Sequence, residues 1–481
     1  MRHFDLAVIG SGSGNSMIDQ RFADWDIAFV EKGVGPIGSF GGTCLNVGCI
    51  PTKMLTHTAE VAEAPERGAR LGVDLESRGV RWREIRDRIF DRIDPLGARS
   101  ERSRARSRHI TVYRGTGRFT GVREITVDLE APHESGERGA DTGGGSTTFT
   151  ADRVVVAAGS RPAVPDLPGL PGSGYLTSDT VMRLDTLPPR VIILGAGSVG
   201  LEFAHVLSGL GVRVTLVNRS DCLLRREDRD VCERFTALAA ERWDVRLNRE
   251  AVSVERDGEL TRLRVSGPDG EETLEAEALL LAVGRVPNSD LVDAEAGGLD
   301  LTGDGRISVD ATQATSVAGV WALGDVSSTY WLKHVANHEA RVVAHNLLHP
   351  EAPVESDHRF VPHAVFTTPQ VASVGLTEQQ ALREGLACAV AVQRYADIAY
   401  GWAMEDTSGF AKLLADPATG RLLGAHIMGP EASSLLQPLI QAMHFGQDVR
   451  DLARGQYWIH PALPELVENA LLKLDLPARP G

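Results

Sequence analysis

Short runs of apolar residues alternate along most of this chain with segments whose apolar residues recur every three or four positions. Two of the runs, residues 6–9 and 191–194, lead directly into glycine-rich turns. A continuous apolar run of this length is typical of a strand that is buried on both faces, and strands that alternate with amphipathic helices form parallel sheets. The pattern therefore predicts an α/β fold with two similar strand–turn–helix units.

Two segments depart from this pattern. Residues 130–150 are rich in Gly, Ser, Thr and acidic residues, and this composition predicts a mobile loop at the tip of a hairpin. From about Pro353 onwards the chain changes character and predicts a third, α+β domain. Its predicted antiparallel strands are residues 371–374 and 412–414. Its predicted helices are residues 435–445 and 466–474.

The first glycine-rich turn has the spacing of a Rossmann-like dinucleotide-binding site. Gly10, Gly12 and Gly14 follow a predicted strand, where a tight turn lets the backbone approach a pyrophosphate. Glu31 lies 21 residues after Gly10, where a carboxylate accepts hydrogen bonds from ribose hydroxyls. Asn15 replaces the third glycine of the G-x-G-x-x-G pattern, and we expect it to loosen the packing of helix against strand. A glycine turn without a ligand is the alternative.

The second turn matches the same pattern completely, with Gly195, Gly197 and Gly200. The strand that follows ends without an acidic residue, and Arg219 and Arg225 come shortly after it. A carboxylate at this place would repel the 2′-phosphate of NADPH, whereas guanidinium groups bind it through paired hydrogen bonds. The sequence therefore predicts NADPH rather than NADH. The alternative is that both arginines are ordinary surface charges.

Composition disfavours several classes of protein. The 481 residues suggest about three domains. The net charge of −15 disfavours nucleic-acid binding, and we interpret the arginine-rich stretch 99–108 as a solvent-exposed face. No apolar run approaches the roughly 18 residues of a membrane-spanning helix, and the chain enters its first strand without a signal peptide. We therefore predict a cytoplasmic protein.

Two of the five cysteines, Cys44 and Cys49, follow a pair of glycines and precede a lysine. At the start of a helix such a pair could lie within disulfide distance, and the helix terminus and the nearby cation would lower the pKa of a thiol. The alternatives are two buried cysteines and half of a metal site, but further Cys or His ligands at short spacing do not follow. We therefore predict a redox-active pair and no metal. Cys222, Cys232 and Cys388 have no comparable setting and are interpreted as structural.

The segment around this pair, G-G-T-C-L-N-V-G-C-I-P-T-K at residues 41–53, resembles the redox-active segment of the pyridine nucleotide–disulfide oxidoreductases. Residues 154–162 and 283–288 resemble the family's two crossings between nucleotide domains, and residues 315–325 resemble its second flavin motif. The resemblance covers essentially the whole chain. It implies FAD and NADPH as cofactors and the NADPH-dependent reduction of a small-molecule disulfide as the activity.

The resemblance also assigns roles to single residues. It places Lys53 near the flavin ring, in an ion pair with Glu202, and it makes Asp325 a ligand of the ribityl chain. The other residues that it implies for cofactor binding belong to the turns and crossings of the nucleotide domains. They are Thr43, Gly117, Ala158, Gly159, Gly284 and Gly324.

His460 and Glu465 have the spacing of the family's histidine–glutamate dyad. A thiol leaving group needs a proton and a thiol nucleophile must lose one, and an imidazole near neutral pH does both. Glu465 would orient the ring and stabilise its cationic form. In the family this histidine reaches the cysteines of the other subunit, so the resemblance implies a homodimer in which His460 acts across the interface.

The resemblance implies four parts of the chain. They are an FAD-binding domain at 1–158, an NADPH-binding domain at 159–284, a central part at 285–350 that completes the FAD domain, and a dimerisation domain at 351–481.

Residues 333–341, 400–409 and 458–465 resemble one member of the family, which reduces the disulfide of a neutral inositol–glucosamine–cysteine thiol. That disulfide is the predicted substrate. Residues 33–39 make the stretch after Glu31 longer than the resemblance implies, which predicts a local loop near the adenine end of the flavin. The alternatives are another disulfide reductase, such as a dihydrolipoamide dehydrogenase or a glutathione reductase, and a non-catalytic flavoprotein redox partner.

Overall fold

The computed structural model describes residues 1–130 and 145–477. Across these two ranges, no helix is both long enough and apolar enough to cross a membrane. The strands, in chain order, are β1 (Arg2–Ile9), β2 (Ile27–Glu31), β3 (Ile110–Gly121), β4 (Glu124–Leu129), β5 (Gly145–Val156), β6 (Ser160–Pro162), β7 (Arg190–Leu194), β8 (Arg213–Val217), β9 (Asp244–Arg246), β10 (Glu250–Asp257), β11 (Leu260–Gly267), β12 (Gly270–Ala276), β13 (Ala278–Leu281), β14 (Arg285–Pro287), β15 (Val320–Ala322), β16 (His363–Val365), β17 (Gln370–Gly375), β18 (Ala389–Arg394), β19 (Phe410–Ala415) and β20 (Leu422–Gly429).

The α-helices lie between these strands and after the last of them. They are α1 (Ser13–Met17), α2 (Gly42–Asn46), α3 (Cys49–Ala62), α4 (Ala64–Arg70), α5 (Trp82–Ala105), α6 (Ser198–Gly209), α7 (Arg229–Arg242), α8 (Lys333–Leu348), α9 (Glu378–Arg383), α10 (Ala399–Met404), α11 (Ala432–Leu435), α12 (Gln437–His444), α13 (Val449–Arg454) and α14 (Glu465–Leu472).

The first glycine turn follows the central strand of a parallel sheet. β1 pairs with β2 on one side and β5 on the other, and β3 and β15 complete the order β3-β2-β1-β5-β15. The apolar residues of β1 are buried because both faces of the sheet are covered, which explains their continuous run in the sequence. The turn thus lies at the carboxyl edge of the sheet, where nucleotides bind in this type of fold.

β3 and β5 extend beyond the parallel sheet and pair with β4 in an antiparallel arrangement. Leu129 pairs with Gly145, which confirms that the predicted loop joins the two strands of a hairpin. Residues 145–150 belong to β5, so the prediction of a loop is wrong for this part. Its remainder, residues 131–144, lies outside the described residues.

The second glycine turn follows β7, in a second parallel sheet of order β13-β7-β8-β9. An antiparallel sheet of β10, β11 and β12 belongs to the same part of the chain. The two crossings between the nucleotide units are the short strands β6 and β14, which pair with each other in antiparallel register. The prediction of two strand–turn–helix units connected by two crossing segments is therefore confirmed.

The third sheet is antiparallel and has the order β16-β17-β20-β19-β18. Helices α12 and α14 pack their apolar side chains against it. The predicted strands 371–374 and 412–414 fall within β17 and β19, and the predicted helices overlap α12 and α14. The α+β character of this part is confirmed, while the domain boundaries stay a prediction.

The first helix packs differently from the prediction. A Cβ atom on Gly14 would lie 2.8 Å from the Cβ atom of Ala157, so Gly14 provides the close approach of helix to strand. Asn15 turns towards α5, where its Nδ2 donates to Ser100 Oγ at 3.1 Å and its Oδ1 accepts from Arg104 Nε at 2.7 Å. The expected loosening is therefore wrong. The interpretation of the arginine-rich stretch as a solvent-exposed face is also wrong for Arg104, because burial lowers the pKa of its guanidinium group.

β19 contains one charged residue in an otherwise apolar strand. Lys412 is buried, and its Nζ donates to Asp228 Oδ1 and Asp230 Oδ2 at 2.7 Å each and lies 2.6 Å from Glu378 Oε2. Asp228 is also fully buried, and it caps the N-terminus of α7. These contacts join the third sheet to the second nucleotide unit.

We expect Lys412→Met to lower the free energy of unfolding by about 3–5 kcal/mol, because it leaves the carboxylate of Asp228 buried without its counter-ion. Urea unfolding of the variant and the parent measures this loss. Arg229→Met is the matched control. It removes an exposed cation from α7, the helix that Asp228 caps, and should change stability by less than about 0.5 kcal/mol. Equal losses in the two variants would contradict the role of Lys412 as the counter-ion of Asp228.

Candidate redox site

The glycine turn after β1 and the cysteine segment touch through their backbones. A Cβ atom on Gly10 would lie 2.3 Å from the carbonyl oxygen of Ala157, and one on Gly42 would lie 2.6 Å from the Cα atom of Gly12. Gly10 and Gly42 also have positive φ angles, of 104° and 72°. Glycine at these positions therefore holds α2 directly beside the turn.

Cys44 lies in α2, and Cys49 is the first residue of α3. The prediction that both cysteines lie at the start of one helix is therefore wrong. They belong to two consecutive helices, and the chain breaks between them at Gly48. The two thiols hydrogen-bond to each other, and this bond, together with burial, raises the pKa of Cys44. The same bond, assisted by the positive charge of Lys53, lowers the pKa of Cys49 to about 7. In the dithiol form, Cys49 is therefore the thiolate and Cys44 the thiol.

Lys53 lies one turn after Cys49 on α3 and contacts Glu202 on α6. Its Nζ donates to Glu202 Oε2 at 2.5 Å and lies 4.3 Å from the ring centroid of Phe366. The second carboxylate oxygen of Glu202 accepts the backbone N–H of Phe366 at 3.1 Å. The ion pair that the resemblance implied is therefore formed, and it connects both nucleotide units to the third sheet.

A cavity of about 960 Å³ runs from the end of β2 to the cysteine pair. Its size and elongated lining suit a large extended ligand. Most of the site residues expected from the sequence line it. They are Gly10, Gly12, Glu31, Thr43, Cys44, Cys49, Lys53, Gly117, Ala158, Gly159, Glu202, Gly324 and Asp325.

Glu31 forms the far end of this cavity. Its Oε2 accepts the backbone N–H of Ser11 at 2.6 Å, and its Oε1 accepts that of Gly33 at 2.5 Å. The lengthened segment 33–39 closes on itself through the bridge between Val34 and Ser39, and its first residues line the cavity. The expected loop therefore lies beside the carboxylate. These contacts fit the adenosine half of a bound FAD, because they orient Glu31 before any ribose arrives.

Three residues that sequence reasoning did not name hold Asp325. Ser160 Oγ donates to Asp325 Oδ2 at 2.5 Å, and Arg285 Nε donates to Ser160 Oγ at 2.7 Å. Glu339 accepts the backbone N–H of Gly324 at 2.7 Å and so fixes the turn before the aspartate. Ser160 and Arg285 could have been found, since both belong to the crossing segments. Glu339 lies on α8 in the segment 333–341 that resembles one member of the family, but the sequence analysis gave it no role.

Lys333 is a further cation of the site, to which the sequence analysis gave no role although it begins the segment 333–341. It is the first residue of α8, lines the cavity, and its Nζ donates to Ser13 Oγ at 2.9 Å. Its charge opposes the rise in the pKa of Cys44 that the hydrogen bond from Cys49 causes. A cation is unfavourable at a helix N-terminus, so its place here is explained by the cavity rather than by the helix.

The second glycine turn has both close packing and an open side. A Cβ atom on Gly195 would lie 2.4 Å from the carbonyl oxygen of Ala282, and one on Gly200 would lie 2.0 Å from that of Gly195. A Cβ atom on Gly197 would meet nothing within 4 Å. The backbone is therefore accessible at Gly197, as a pyrophosphate requires, while its neighbours fix the turn against β7.

Arg219 and Arg225 are exposed on the segment that follows β8. Neither forms a hydrogen bond or an ion pair with another residue of the described ranges, so both guanidinium groups are available to an anionic ligand. Gly284 has a positive φ of 131°, and its carbonyl oxygen accepts the backbone N–H of Ala163 at 2.9 Å. It lies at the second crossing and outside the main cavity.

His460 and Glu465 contact each other but lie away from the cavity. His460 Nδ1 is 2.5 Å from Glu465 Oε1, and the histidine side chain is 70% exposed. Because a carboxylate only accepts, Nδ1 carries the proton and Nε2 faces solvent. A single chain therefore does not bring this imidazole to the cysteine pair.

Cys222 and Cys232 depart from the interpretation as unrelated structural residues. Their sulfur atoms lie 2.7 Å apart, with Cys222 on the segment after β8 and Cys232 in the first turn of α7. Sequence reasoning missed this pair because the two residues belong to different elements and share no motif.

Residues 4–340 match the family described as pyridine nucleotide-disulphide oxidoreductase, and residues 361–471 match its dimerisation domain. The mycothione reductase of Mycobacterium tuberculosis (strain ATCC 25618 / H37Rv) is 52% identical over 478 residues, which cover 98% of this chain and 100% of that protein. The dihydrolipoyl dehydrogenase of Corynebacterium glutamicum is 32% identical, over 97% of each chain. A solved Cu(II) complex of the HOCl-induced flavoprotein disulfide reductase RclA from Escherichia coli has a TM-score of 0.84 and 26% identity, and the match covers 98% of this chain and 99% of that chain.

We expect Lys53→Met to raise the pKa of Cys49, because the substitution removes the positive charge that favours the thiolate. The measurement is the pH dependence of iodoacetamide alkylation of the reduced enzyme. The site is read from fragments of the tryptic peptide that contains both cysteines, residues 33–53 in the parent and 33–67 in the variant. In the parent, alkylation of Cys49 should rise through a pKa of about 7, and at pH 7 the variant should react more slowly. Lys473→Met, an exposed control, should leave the profile unchanged. An unchanged profile in the Lys53 variant would contradict the role of this cation.

Proposed function

The chain belongs to the pyridine nucleotide–disulphide oxidoreductase family, and from this premise we propose that it uses NADPH to reduce mycothione, the disulfide of an inositol–glucosamine–cysteine thiol. Its cofactors are FAD and NADPH, and it is a disulfide reductase. The observation that carries the proposal is the Cys44–Cys49 pair in the wall of the cavity, with Lys53 one helical turn after Cys49. When bound, FAD passes the electron pair of NADPH to the disulfide of this pair.

The roles of the two cysteines follow from their ionisation. Cys49 is the thiolate beside Lys53, so it is stable while the substrate arrives. Cys44 keeps its proton and must lose it to become the nucleophile. It then attacks one sulfur of the substrate to form a mixed disulfide, and the first thiol leaves with a proton. The Cys49 thiolate attacks the Cys44 sulfur and restores the Cys44–Cys49 disulfide, and the second product leaves as a thiolate that takes a proton from solvent.

His460 is the proposed acid–base group for these steps. Residues 361–471 form a dimerisation domain, so the working unit is a homodimer. His460 is exposed and lies outside the cavity of its own chain, which supports its action on the other subunit. His460 of the partner subunit takes the proton of Cys44 and returns it to the departing thiol, and Glu465 keeps Nδ1 protonated and stabilises the imidazolium.

Mycothione is favoured over the alternative disulfides by the degree of identity. The chain is 52% identical to a mycothione reductase and 32% identical to a dihydrolipoyl dehydrogenase over nearly the same length. At the end of β8, where an NAD-dependent dehydrogenase would carry a carboxylate, this chain has no acidic residue. This also supports NADPH as the cofactor. We also propose a cytoplasmic location, since NADPH-driven reduction of a small disulfide suits a compartment in which thiols are kept reduced.

The substrate is tested by NADPH oxidation with mycothione, glutathione disulfide and lipoamide side by side. We expect mycothione to give the highest kcat/KM. Cys44→Ser should abolish turnover with every disulfide and still allow NADPH to reduce the flavin, because the serine hydroxyl cannot exchange with a disulfide. Cys388→Ser is the matched control and should keep full turnover. A higher kcat/KM for lipoamide would overturn the substrate, and turnover by Cys44→Ser would overturn the mechanism.

The preference for NADPH is tested at Arg219 and Arg225. Each guanidinium is expected to contribute about 1.5–3 kcal/mol to binding of the 2′-phosphate. Alanine at either position should therefore lower kcat/KM for NADPH by about 10- to 100-fold and leave the value for NADH within about twofold. Arg213→Ala, at the opposite end of β8, is the control and should affect neither cofactor. Equal losses for NADPH and NADH would contradict recognition of the 2′-phosphate.

Action of His460 across the interface is tested with mixed dimers. His460→Ala homodimers should lose about 10²- to 10⁴-fold in disulfide reduction, and Cys44→Ser homodimers should be inactive. A heterodimer of one subunit of each kind should recover up to half of the parent activity, since one of its two sites combines an intact Cys44 with an intact His460 of the partner subunit. If histidine and cysteine act within one chain, the heterodimer stays inactive, and the proposal fails.

A further inference from the structure

The sulfur atoms of Cys222 and Cys232 lie 2.7 Å apart, far from the cysteine pair of the cavity. Cys232 is 6% exposed and its Sγ also contacts the carbonyl oxygen of Leu223 at 2.9 Å. Cys222 is only half-buried, so a small molecule in solution reaches this sulfur first. The two thiols therefore have the arrangement of a disulfide-forming pair with one accessible member.

Cys222 belongs to a segment that carries three exposed arginines, Arg219, Arg225 and Arg226. We name residues 218–228, between β8 and α7, the arginine loop. Arg219 and Arg225 lie three positions before and after Cys222 in it. Cys222 therefore lies midway between the two arginines to which NADPH recognition is assigned.

Both ends of the arginine loop are fixed, by backbone hydrogen bonds between Asn218 and residues 246 and 249 and by the bonds of Glu227 and Asp228 to the third sheet. Fewer contacts hold its middle part. Asn218 Nδ2 donates to the carbonyl oxygen of Cys222 at 3.0 Å, and the backbone N–H of Leu223 donates to Thr236 Oγ1 at 2.9 Å. Leu224 has a φ of 53°, in the left-handed region that side chains disfavour. A covalent link from Cys222 to α7 would oppose relaxation of this strained turn.

We propose that Cys222 and Cys232 form a reversible disulfide by exchange with a low-molecular-weight disulfide, and that this bond orders the arginine loop and tightens the binding of NADP(H). The site of modification is independent of the proposed function, whereas its effect on the nucleotide rests on the proposed role of Arg219 and Arg225.

The chemistry balances without any other oxidant. Cys222, as a thiolate, attacks one sulfur of the disulfide RSSR, which forms Cys222–S–S–R and releases RS⁻. Burial raises the pKa of Cys232, so this thiol reacts second: it passes its proton to RS⁻ and attacks the Cys222 sulfur, and the second RS⁻ leaves and takes a proton from water or buffer. One disulfide is reduced to two thiols and one protein disulfide is formed. The sulfurs approach by less than about 1 Å, since a disulfide bond is about 2.05 Å long.

The direction of the effect follows from the state of the thiol pool. When low-molecular-weight disulfide accumulates, exchange favours the bonded pair, and when thiol returns, the reverse exchange opens it. Ordering the arginine loop in advance removes part of the entropic cost of binding the nucleotide. The enzyme then binds its reductant more tightly when more disulfide has to be reduced.

Peptide mapping tests the modification directly. The purified holoenzyme is incubated with 2-hydroxyethyl disulfide in the absence of NADPH, free thiols are alkylated, and the protein is digested with trypsin. Cleavage after Arg219, Arg225, Arg229 and Arg234 puts the two cysteines in separate peptides, 220–225 and 230–234. We expect the mass of these two peptides joined by a disulfide, and its loss in Cys222→Ser. If the joined mass does not appear in the parent protein, the site is overturned.

Nucleotide binding tests the consequence. The dissociation constants of NADP⁺ and NAD⁺ are measured by calorimetry for the parent and for Cys222→Ser after the same disulfide treatment, so that the cavity cysteines are oxidised in both. We expect the cross-linked parent to bind NADP⁺ about 2- to 10-fold more tightly than the variant and to bind NAD⁺ equally. Cys388→Ser, treated in the same way, should match the parent.

The outcomes separate this inference from the proposed function. Equal NADP⁺ affinity in a cross-linked and an uncross-linked protein overturns the coupling, even if NADPH is the cofactor. Equal tightening of NADP⁺ and NAD⁺ overturns the route through the 2′-phosphate. Failure of the arginine variants to discriminate NADPH from NADH overturns the proposed cofactor recognition and leaves the mass of the joined peptides as an independent result.

Discussion

The contact between Lys53 and Glu202 is the constraint on which the rest of the site depends. Lys53 shares α3 with Cys49, Glu202 belongs to the second nucleotide unit, and the other oxygen of Glu202 is bound by the backbone of Phe366. One buried carboxylate thus fixes three parts of the chain relative to one thiolate. If any of the three shifted, the lysine would lose either its counter-ion or its distance to Cys49, and the ionisation of the cysteine pair would change with it.

On the side of the cavity that would hold the flavin, close contacts between glycine backbones fix the positions of neighbouring elements. The turn after β1 touches the cysteine segment because Gly12 and Gly42 leave no side chain between them. Asp325 is held by Ser160, and Ser160 by Arg285, so the short crossing strands position a cofactor ligand as well as connect the nucleotide units. The positions of the electron donor, the thiol pair and the crossing strands are therefore set together rather than one by one.

Local sequence was sufficient for features that one element forms alone. The buried strands, the two glycine turns and the Cys44–Cys49 pair could all be predicted, because backbone geometry and spacing within a few residues determine them. The resemblance was needed for Lys53 with Glu202, since 149 positions separate the two residues. The effect of Asn15 was predicted wrongly because the neighbouring Gly14 provides the close packing of helix against strand. Lys412 and the pairing of Cys222 with Cys232 had no signal, since contacts between separate elements create them.

The break at Gly48 has a consequence for how this protein could evolve or be redesigned. A Cβ atom there would lie 3.0 Å from the carbonyl oxygen of Thr43 and 3.3 Å from the Cα atom of Cys44, so a larger residue would push the main chain of α2 away from α3. The separation of the two cysteine backbones is therefore tied to this glycine. Selection for a new substrate has to act on the outer walls of the cavity and on the facing subunit, while the electron-transfer centre is inherited unchanged.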